Sequence, residues 1–196
     1  MASTPDDGRV TITDIRVLAA LAHPVRLSIL QLLMGSGERT ATECAEVVDA
    51  TPSSCSYHLR HLETFGLVER SAAAKGVDGR TRRWTASSAG FHFGGSAKDR
   101  TPAETAAGQA LATTGLEENL RLALHYLSHS DSLDHRLQDA AMFSSYTLML
   151  SVEELENLGR ELDALIRPFL SAGRVDAPRD AVTVRMAIDA FARTDL

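Results

Sequence analysis

The chain has 196 residues, of which 44% are hydrophobic and 23% charged, a composition typical of a globular protein with one large core or two small ones. Two cysteines are too few for a disulfide framework, and no apolar run approaches the roughly 20 residues of a membrane span. The acidic, polar start MASTPDDGRV does not resemble a secretory signal, so we expect a cytoplasmic protein with no membrane contact.

The net charge of −6 is unevenly distributed along the chain. Residues 51–86 contain six basic and three acidic side chains, a balance of +3, whereas residues 1–50 sum to −3 and residues 87–196 to −6. A basic segment in an acidic chain can attract a polyanion while the rest of the surface repels it and fixes its orientation. Positive charge is thus concentrated in residues 51–86, the segment through which we expect nucleic-acid binding.

Two apolar helices are predicted first in chain order. Thr13 or Asp14 can cap a helix whose apolar residues follow helical spacing up to Leu21. A second helix begins at Pro24, since proline is tolerated in a first turn, and ends at the Gly-Ser-Gly of residues 35–37.

Two further helices, separated by a tight turn, have the spacing of a helix-turn-helix. The first covers residues 40–48, the turn covers 49–51, and the second begins at Pro52 and is closed by Gly66. The exposed face of the second helix carries hydroxyl, aromatic and basic side chains, which suit contacts with phosphates and base edges. The residues predicted to contact DNA here are Thr51, Ser53, Ser54, Ser56, Tyr57, Arg60 and His61.

Both thiols of the chain lie in this region. Cys44 and Cys55 fall on the inward faces of their helices, where a free cysteine behaves as a small hydrophobic residue. We interpret them as structural, with a redox pair as the alternative.

A basic hairpin is predicted next, with strands at residues 67–70 and 81–86 joined by a loop that contains Asp78-Gly79. On the return strand, Arg80, Arg82 and Trp84 share one face. We expect the two arginines to reach phosphates or a minor groove and Trp84 to pack on the helices. The alternative is a solvated hairpin whose arginines only maintain solubility. The hairpin residues predicted to contact DNA are Lys75, Arg80, Arg82 and Arg83.

Residues 13–86 resemble the ArsR-type winged helix-turn-helix regulators, through LAHPVRLSILQLL, SYHLRHLETFGLVERS and GRTRRW. The resemblance implies a homodimeric transcriptional regulator that releases its operator when an effector binds. Metal sensors of that family carry an E-L-C-x-C run before the recognition helix. The matching positions here are Thr40 and Thr42, and hydroxyls do not replace soft thiolates. We therefore expect neither metal sensing at this site nor a cofactor.

A long helix is predicted after a Gly/Ser-rich linker. It begins at the capping box Thr101-Pro102-Ala103-Glu104. In ArsR-like proteins the helix after the wing pairs with its two-fold mate, and we predict the same use here. The alternative is a helix that covers its own C-terminal domain. The predicted dimer contacts are Ile15, Leu18, Leu116, Leu120, Ala123 and Leu127.

Three histidines near the end of this helix are candidate metal ligands. His125 and His129 are four residues apart and share a helix face, with His135 close behind. The preferred interpretation is a solvated helix end and no metal.

The last segment predicts a strand at residues 141–150, a helix from the capping box at Ser151 to near Pro168, and a half-buried strand at 182–188. This small α+β unit loosely resembles the C-terminal extensions of some actinobacterial ArsR-like regulators, which implies dimerisation or effector binding. It has neither a phosphate-binding glycine loop nor a catalytic triad. We therefore expect no enzyme activity.

Together these patterns predict a mainly α fold with α+β character. The expected parts are a flexible N-terminus (1–12), a winged helix-turn-helix domain (13–90), a linker (91–102) and a dimerisation or effector domain (103–196). The predicted function is a homodimeric, sequence-specific DNA-binding transcriptional regulator, more specifically a repressor on an inverted-repeat operator, with an unidentified small-molecule effector as a further partner. The alternative is a winged-helix adaptor module that binds protein and not DNA.

Overall fold

The structure is a computed structural model and describes residues 9–71, 82–88, 90–93, 97–170, 174 and 176–195. Within these ranges the chain is mainly helical with two small sheets. Its N-terminal half is a winged helix-turn-helix, and the regular elements of its C-terminal half within these ranges are helices. This confirms the predicted mainly α fold with an N-terminal winged helix-turn-helix.

Four helices form the N-terminal half at the positions that the sequence predicts. Asp14 is the cap of the first, since its side chain accepts a hydrogen bond from the Arg16 amide. Gly37, with φ of 72°, terminates the second, where a residue with a side chain would be strained. The helices are α1 (Ile15–Leu21), α2 (Pro24–Ser36), α3 (Ala41–Ala45) and α4 (Pro52–Thr64).

An antiparallel sheet in the order β2-β4-β3 lies beside these helices. Its strands are β2 (Arg39–Thr40), β3 (Val68–Arg70) and β4 (Arg83–Ala86). The pairing of β3 with β4 confirms the predicted hairpin strands. The two-residue strand β2 has too few residues to show a period and was not predicted.

Two further strands lie at the edges of the predicted winged domain. β1 (Arg9–Ile12) pairs in parallel with β5 (Gly90–Phe93), so the segment expected to be a flexible N-terminus contains a strand, and so does the start of the expected linker. The pairing fixes the end of β1, where Ile12 is buried in the core. The rest of the expected flexible segment, residues 1–8, lies outside the described residues.

The described part of the winged domain has one hydrophobic core. Helices α2 and α4 are its largest contributors, and Trp84 joins it from β4, as predicted for that side chain. Its fully buried side chains include Leu21, Leu27, Ile29, Leu30, Leu33, Cys44, Cys55, Leu59, Leu62, Val68 and Leu111.

The C-terminal half begins with α5 (Pro102–His129), a helix of 28 residues that starts at the predicted capping box of Thr101 and Glu104. One face of α5 packs on α1 and α2 and contributes Leu111 to the core. Two shorter helices follow, α6 (His135–Ala140) and α7 (Val152–Ile166). The capping box that begins α7 was predicted, whereas α6 was not.

The prediction of two strands in the C-terminal half was wrong. Residues 141–150 and 182–188 form no strand, and all of them are exposed. An alternating pattern becomes a strand only where a neighbour accepts its hydrogen bonds. Neither segment has such a neighbour among the described residues.

No single helix of the described ranges has the length and hydropathy of a membrane span. Helices α1 and α2 meet that criterion only when taken together, across a bend of 91°.

Candidate nucleic-acid interface

Helix α4 is held by its buried face, and its opposite face is exposed. Cys55, Leu59 and Leu62 are completely buried and His58 nearly so. The helix begins as predicted, with the Thr51 hydroxyl accepting a hydrogen bond from the Ser54 amide at 3.2 Å and proline in the first turn. The orientation of α4 is therefore fixed by apolar packing, which leaves its other face available for contacts outside the domain.

The turn that precedes α4 is also fixed locally. Asp49 adopts a left-handed conformation with φ of 47°, which aspartate tolerates better than most residues. Upstream, the Thr40 hydroxyl accepts a hydrogen bond from the Glu43 amide at 3.1 Å, and the Glu43 carboxylate accepts one from the Thr40 amide at 2.6 Å. Thr40 is thus a helix cap at the position where the metal sensors have a cysteine.

The exposed face of α4 presents the predicted side chains together. The Tyr57 ring, 60% exposed, is stacked against His61 with ring centroids 6.3 Å apart. The Arg60 side chain is anchored by one hydrogen bond, from Nε to the Ser56 carbonyl at 3.0 Å, and it remains exposed. Thr51 and Ser53 are exposed, and Ser54, Ser56 and His61 are half-buried.

Of the wing arginines predicted to contact DNA, the two that the structure describes, Arg82 and Arg83, differ in their ion pairs. Arg82 and Arg83 are both exposed, but Arg83 forms ion pairs with Glu43 at 3.3 Å and Glu38 at 3.8 Å. Arg83 also donates a hydrogen bond to the Glu38 carbonyl at 3.0 Å. Arg83 therefore ties β4 to the start of α3, and part of its charge is already compensated. The other predicted wing residues, Lys75 and Arg80, lie outside the described residues.

A polar layer between α2 and α4 was not predicted from the sequence. The rings of His23 and His58 lie 4.6 Å apart, and neither Nδ1 atom has a hydrogen-bond partner in the described part of the chain, nor does Nε of the nearby Arg26. Burial lowers the pKa of both histidines, and the Arg26 charge adds to the effect. The three-residue spacing of His23 and Arg26 in HPVR places both side chains on the same side of the start of α2. This spacing is the sequence signal that could have indicated the polar layer.

The two cysteines are inert by environment. Cys44 and Cys55 are completely buried and not bonded to each other. Burial raises the pKa of Cys44 to about 11 and also raises that of Cys55. Since the thiolate is the reactive form, these environments favour the structural interpretation over a redox pair.

The histidines at the end of α5 are exposed and partly engaged with their own helix. The rings of His125 and His129 stack with centroids 4.2 Å apart, and His129 Nδ1 lies 2.9 Å from the His125 carbonyl oxygen. His135 begins α6 and is exposed. The described residues contain no group of three or more side chains placed to hold a metal ion.

The predicted dimer contacts lie mostly on the outward face of α5. Leu116, Leu120 and Leu127 are at least half exposed, and Ala123 is half-buried. The inward face of the helix carries Leu111, Thr114 and Glu118 instead. On α1, Ile15 is half-buried and Leu18 belongs to the core, so Leu18 does not lie on this exposed surface.

Comparison with known proteins identifies the class of the N-terminal half. Residues 21–71 match the family model described as a helix-turn-helix domain, which coincides with α2 to β3. No curated protein matches the chain. The fold and this match together define a chain with an N-terminal helix-turn-helix domain.

Several solved structures are similar at low identity. A ZitR variant of Lactococcus lactis is 18% identical over 75% of each chain, with a TM-score of 0.31. A homodimeric winged helix-turn-helix DNA-binding domain of Mycobacterium bovis, described as a possible ArsR-family regulator, is 21% identical over 62% of this chain and 89% of that chain, with a TM-score of 0.31. A transcriptional regulator homologue from Pyrococcus horikoshii is 23% identical over 54% and 92%, with a TM-score of 0.32.

Proposed function

We propose that this chain is a sequence-specific DNA-binding transcriptional regulator, more specifically a repressor, that acts as a homodimer on an inverted-repeat operator and has no enzyme activity. The observation that carries the proposal is the exposed face of α4, which presents Tyr57 and Arg60 beside a basic wing. The helix-turn-helix match of residues 21–71 supports it. In such domains the second helix enters the major groove and its N-terminal residues contact base edges.

The chemistry of the face fits a division between base and phosphate contacts. The Arg60 guanidinium can donate two parallel hydrogen bonds to a guanine edge. The hydroxyls of Thr51 and Ser53, at the amide-rich start of α4, suit phosphate oxygens. Arg82 and, outside the described residues, Lys75 and Arg80 would contact the backbone alongside. The acidic remainder of the chain disfavours any other orientation on DNA.

A homodimer follows from the need for affinity. One winged domain with a balance of +3 over residues 51–86 contacts few base pairs, and a genome offers many competing sites. Two copies related by a two-fold axis would contact half-sites about one helical turn apart. The exposed leucines of α5, centred on Leu120, are the proposed contact. Leu120→Glu should therefore raise the dimer dissociation constant in sedimentation and weaken operator binding while the winged domain stays folded.

One observation favours the adaptor alternative. Arg83 is already paired with Glu38 and Glu43, which reduces the positive charge available to DNA. An adaptor would have no preferred DNA sequence at all. Selection from a random double-stranded library with the full-length protein separates the two functions, because a regulator enriches a sequence with dyad symmetry and an adaptor enriches none.

The selected site then tests the residues. Arg60→Ala should reduce discrimination at one base pair in each half-site by about 1–3 kcal/mol. Arg82→Ala should weaken binding to all sequences alike and make the log–log salt dependence shallower by about 1. Arg160→Ala, which removes the same charge from α7, is the matched control and should bind as the wild type does. Equal effects of all three substitutions would contradict the assigned roles.

A further inference from the structure

The segment of residues 182–188 lies on the winged domain with its polar side inward. The Thr183 hydroxyl donates a hydrogen bond to the Gly35 carbonyl at the end of α2, at 3.1 Å. Arg185 donates one to the Asn119 side chain on α5. The alternate residues point away from these anchors and are about half to three-quarters exposed. These outward side chains are Val182, Val184, Met186 and Ile188.

A second apolar segment, residues 141–150, contains no charged residue. Within the described part of the chain, residues 142–150 make no backbone hydrogen bonds, and Met149 is 99% exposed. Solvated linkers are rich in glycine, proline or charge, and the sequence AMFSSYTLML is none of these. Its free amide and carbonyl groups are available to pair with another extended segment.

The two segments expose apolar side chains of both aromatic and aliphatic type. Phe143 and Tyr146 are 65% and 79% exposed, and at about 150–250 Å² per aromatic side chain they expose roughly 200–350 Å². The exposed aliphatic side chains of the two segments are Met142, Leu148, Met149, Leu150, Val182, Val184, Met186 and Ile188. A standard interface buries about 800 Å² per partner, so the two segments supply enough apolar surface for the core of a contact that acts together with the leucine face of α5.

We propose that these two segments form an interface between two copies of the chain, with residues 142–150 of one copy covering the outward apolar side of residues 182–188 of the other. A second copy fits better than an unrelated partner, because two-fold symmetry brings both segments from each copy and covers both surfaces at once. The proposal rests on the homodimer of the proposed function and adds a contact separate from the leucine face of α5.

Hydrogen exchange read by mass spectrometry tests the interface on the unmodified full-length protein. Sedimentation first defines concentrations at which the protein is dimeric or monomeric. The amides of residues 142–150 and 182–188 should be protected in the dimer and exchange freely in the monomer. Free exchange in the dimer, or protection that does not change with concentration, would overturn the proposal.

A double substitution tests the same surface energetically. Val184→Asp with Met186→Asp places two carboxylates in the contact and should raise the dimer dissociation constant at least about tenfold. Ala187→Asp, on the other side of the segment, is the control and should have a much smaller effect. A double variant that dimerises like the control refutes the interface, whatever its DNA binding. If the library selection enriches no sequence, the proposed regulator function is refuted. The hydrogen-exchange experiment still shows whether the two segments form an interface.

Discussion

Adjacent residues of α4 should separate folding from DNA binding. Leu59 is completely buried in the core, whereas its neighbour Arg60 is exposed and, among the described residues, is hydrogen-bonded to the Ser56 carbonyl of its own helix alone. Leu59→Ala removes three carbons, worth about 2.4 kcal/mol at about 0.8 kcal/mol each. The cavity left behind raises the expected loss of unfolding free energy to about 3–5 kcal/mol. Arg60→Ala should change the unfolding free energy by less than about 0.5 kcal/mol.

Urea unfolding followed by circular dichroism measures the first effect, and fluorescence anisotropy on the selected DNA site measures the second. We expect Leu59→Ala to unfold at much lower urea and to bind normally per folded molecule. Arg60→Ala should keep the wild-type midpoint and bind the site more weakly. The assignment of buried and exposed faces would be refuted if Arg60→Ala lowered the unfolding free energy by more than about 1 kcal/mol. A loss of less than about 1 kcal/mol in Leu59→Ala would refute it equally.

Three further substitutions or conditions test the environments described above. Cys44→Ser should cost about 1–3 kcal/mol in urea unfolding because a hydroxyl is buried without an assured partner, and rapid labelling of the native thiols by a disulfide reagent would contradict their inertness. Since burial lowers the pKa of His23 and His58, the unfolded chain binds more protons at mildly acidic pH. The unfolding free energy should therefore have its full value above about pH 6.5 and decrease as the pH is lowered from there. A free energy that does not change between about pH 7.5 and 5 would argue against the lowered pKa values. Ser28→Ala removes a 3.0 Å hydrogen bond to the buried Glu118 carboxylate and should cost about 1.5–3 kcal/mol in the same assay; no measurable loss would show that the α2–α5 contact is not stabilising.

Local signals in the sequence were sufficient for most helix starts. Thr51, Thr101 and Ser151 each cap the helix that they were predicted to cap, because a cap depends on neighbours three residues away. The exposed face of α4 was equally predictable, since helical spacing alone separates Arg60 from Leu59.

Contacts between distant segments could not be predicted in this way. The parallel pairing of β1 with β5 joins residues at opposite ends of the winged domain, and no short pattern encodes it. The histidine layer was missed for the same reason, since His23 precedes α2 and His58 lies in α4. Residues 182–188 alternate as predicted, but the side that contacts the domain is the polar one, through Thr183.

The pairing of β1 with β5 has a practical consequence for dissecting the protein. Residues 13–86, the region of helix-turn-helix resemblance, exclude both strands of that sheet and the buried side chain of Ile12. They also exclude Leu111, which completes the core from α5. An autonomous DNA-binding fragment therefore has to begin no later than residue 9 and extend beyond residue 111. A shorter fragment would contain every proposed DNA contact and still lack part of the core that holds them in place.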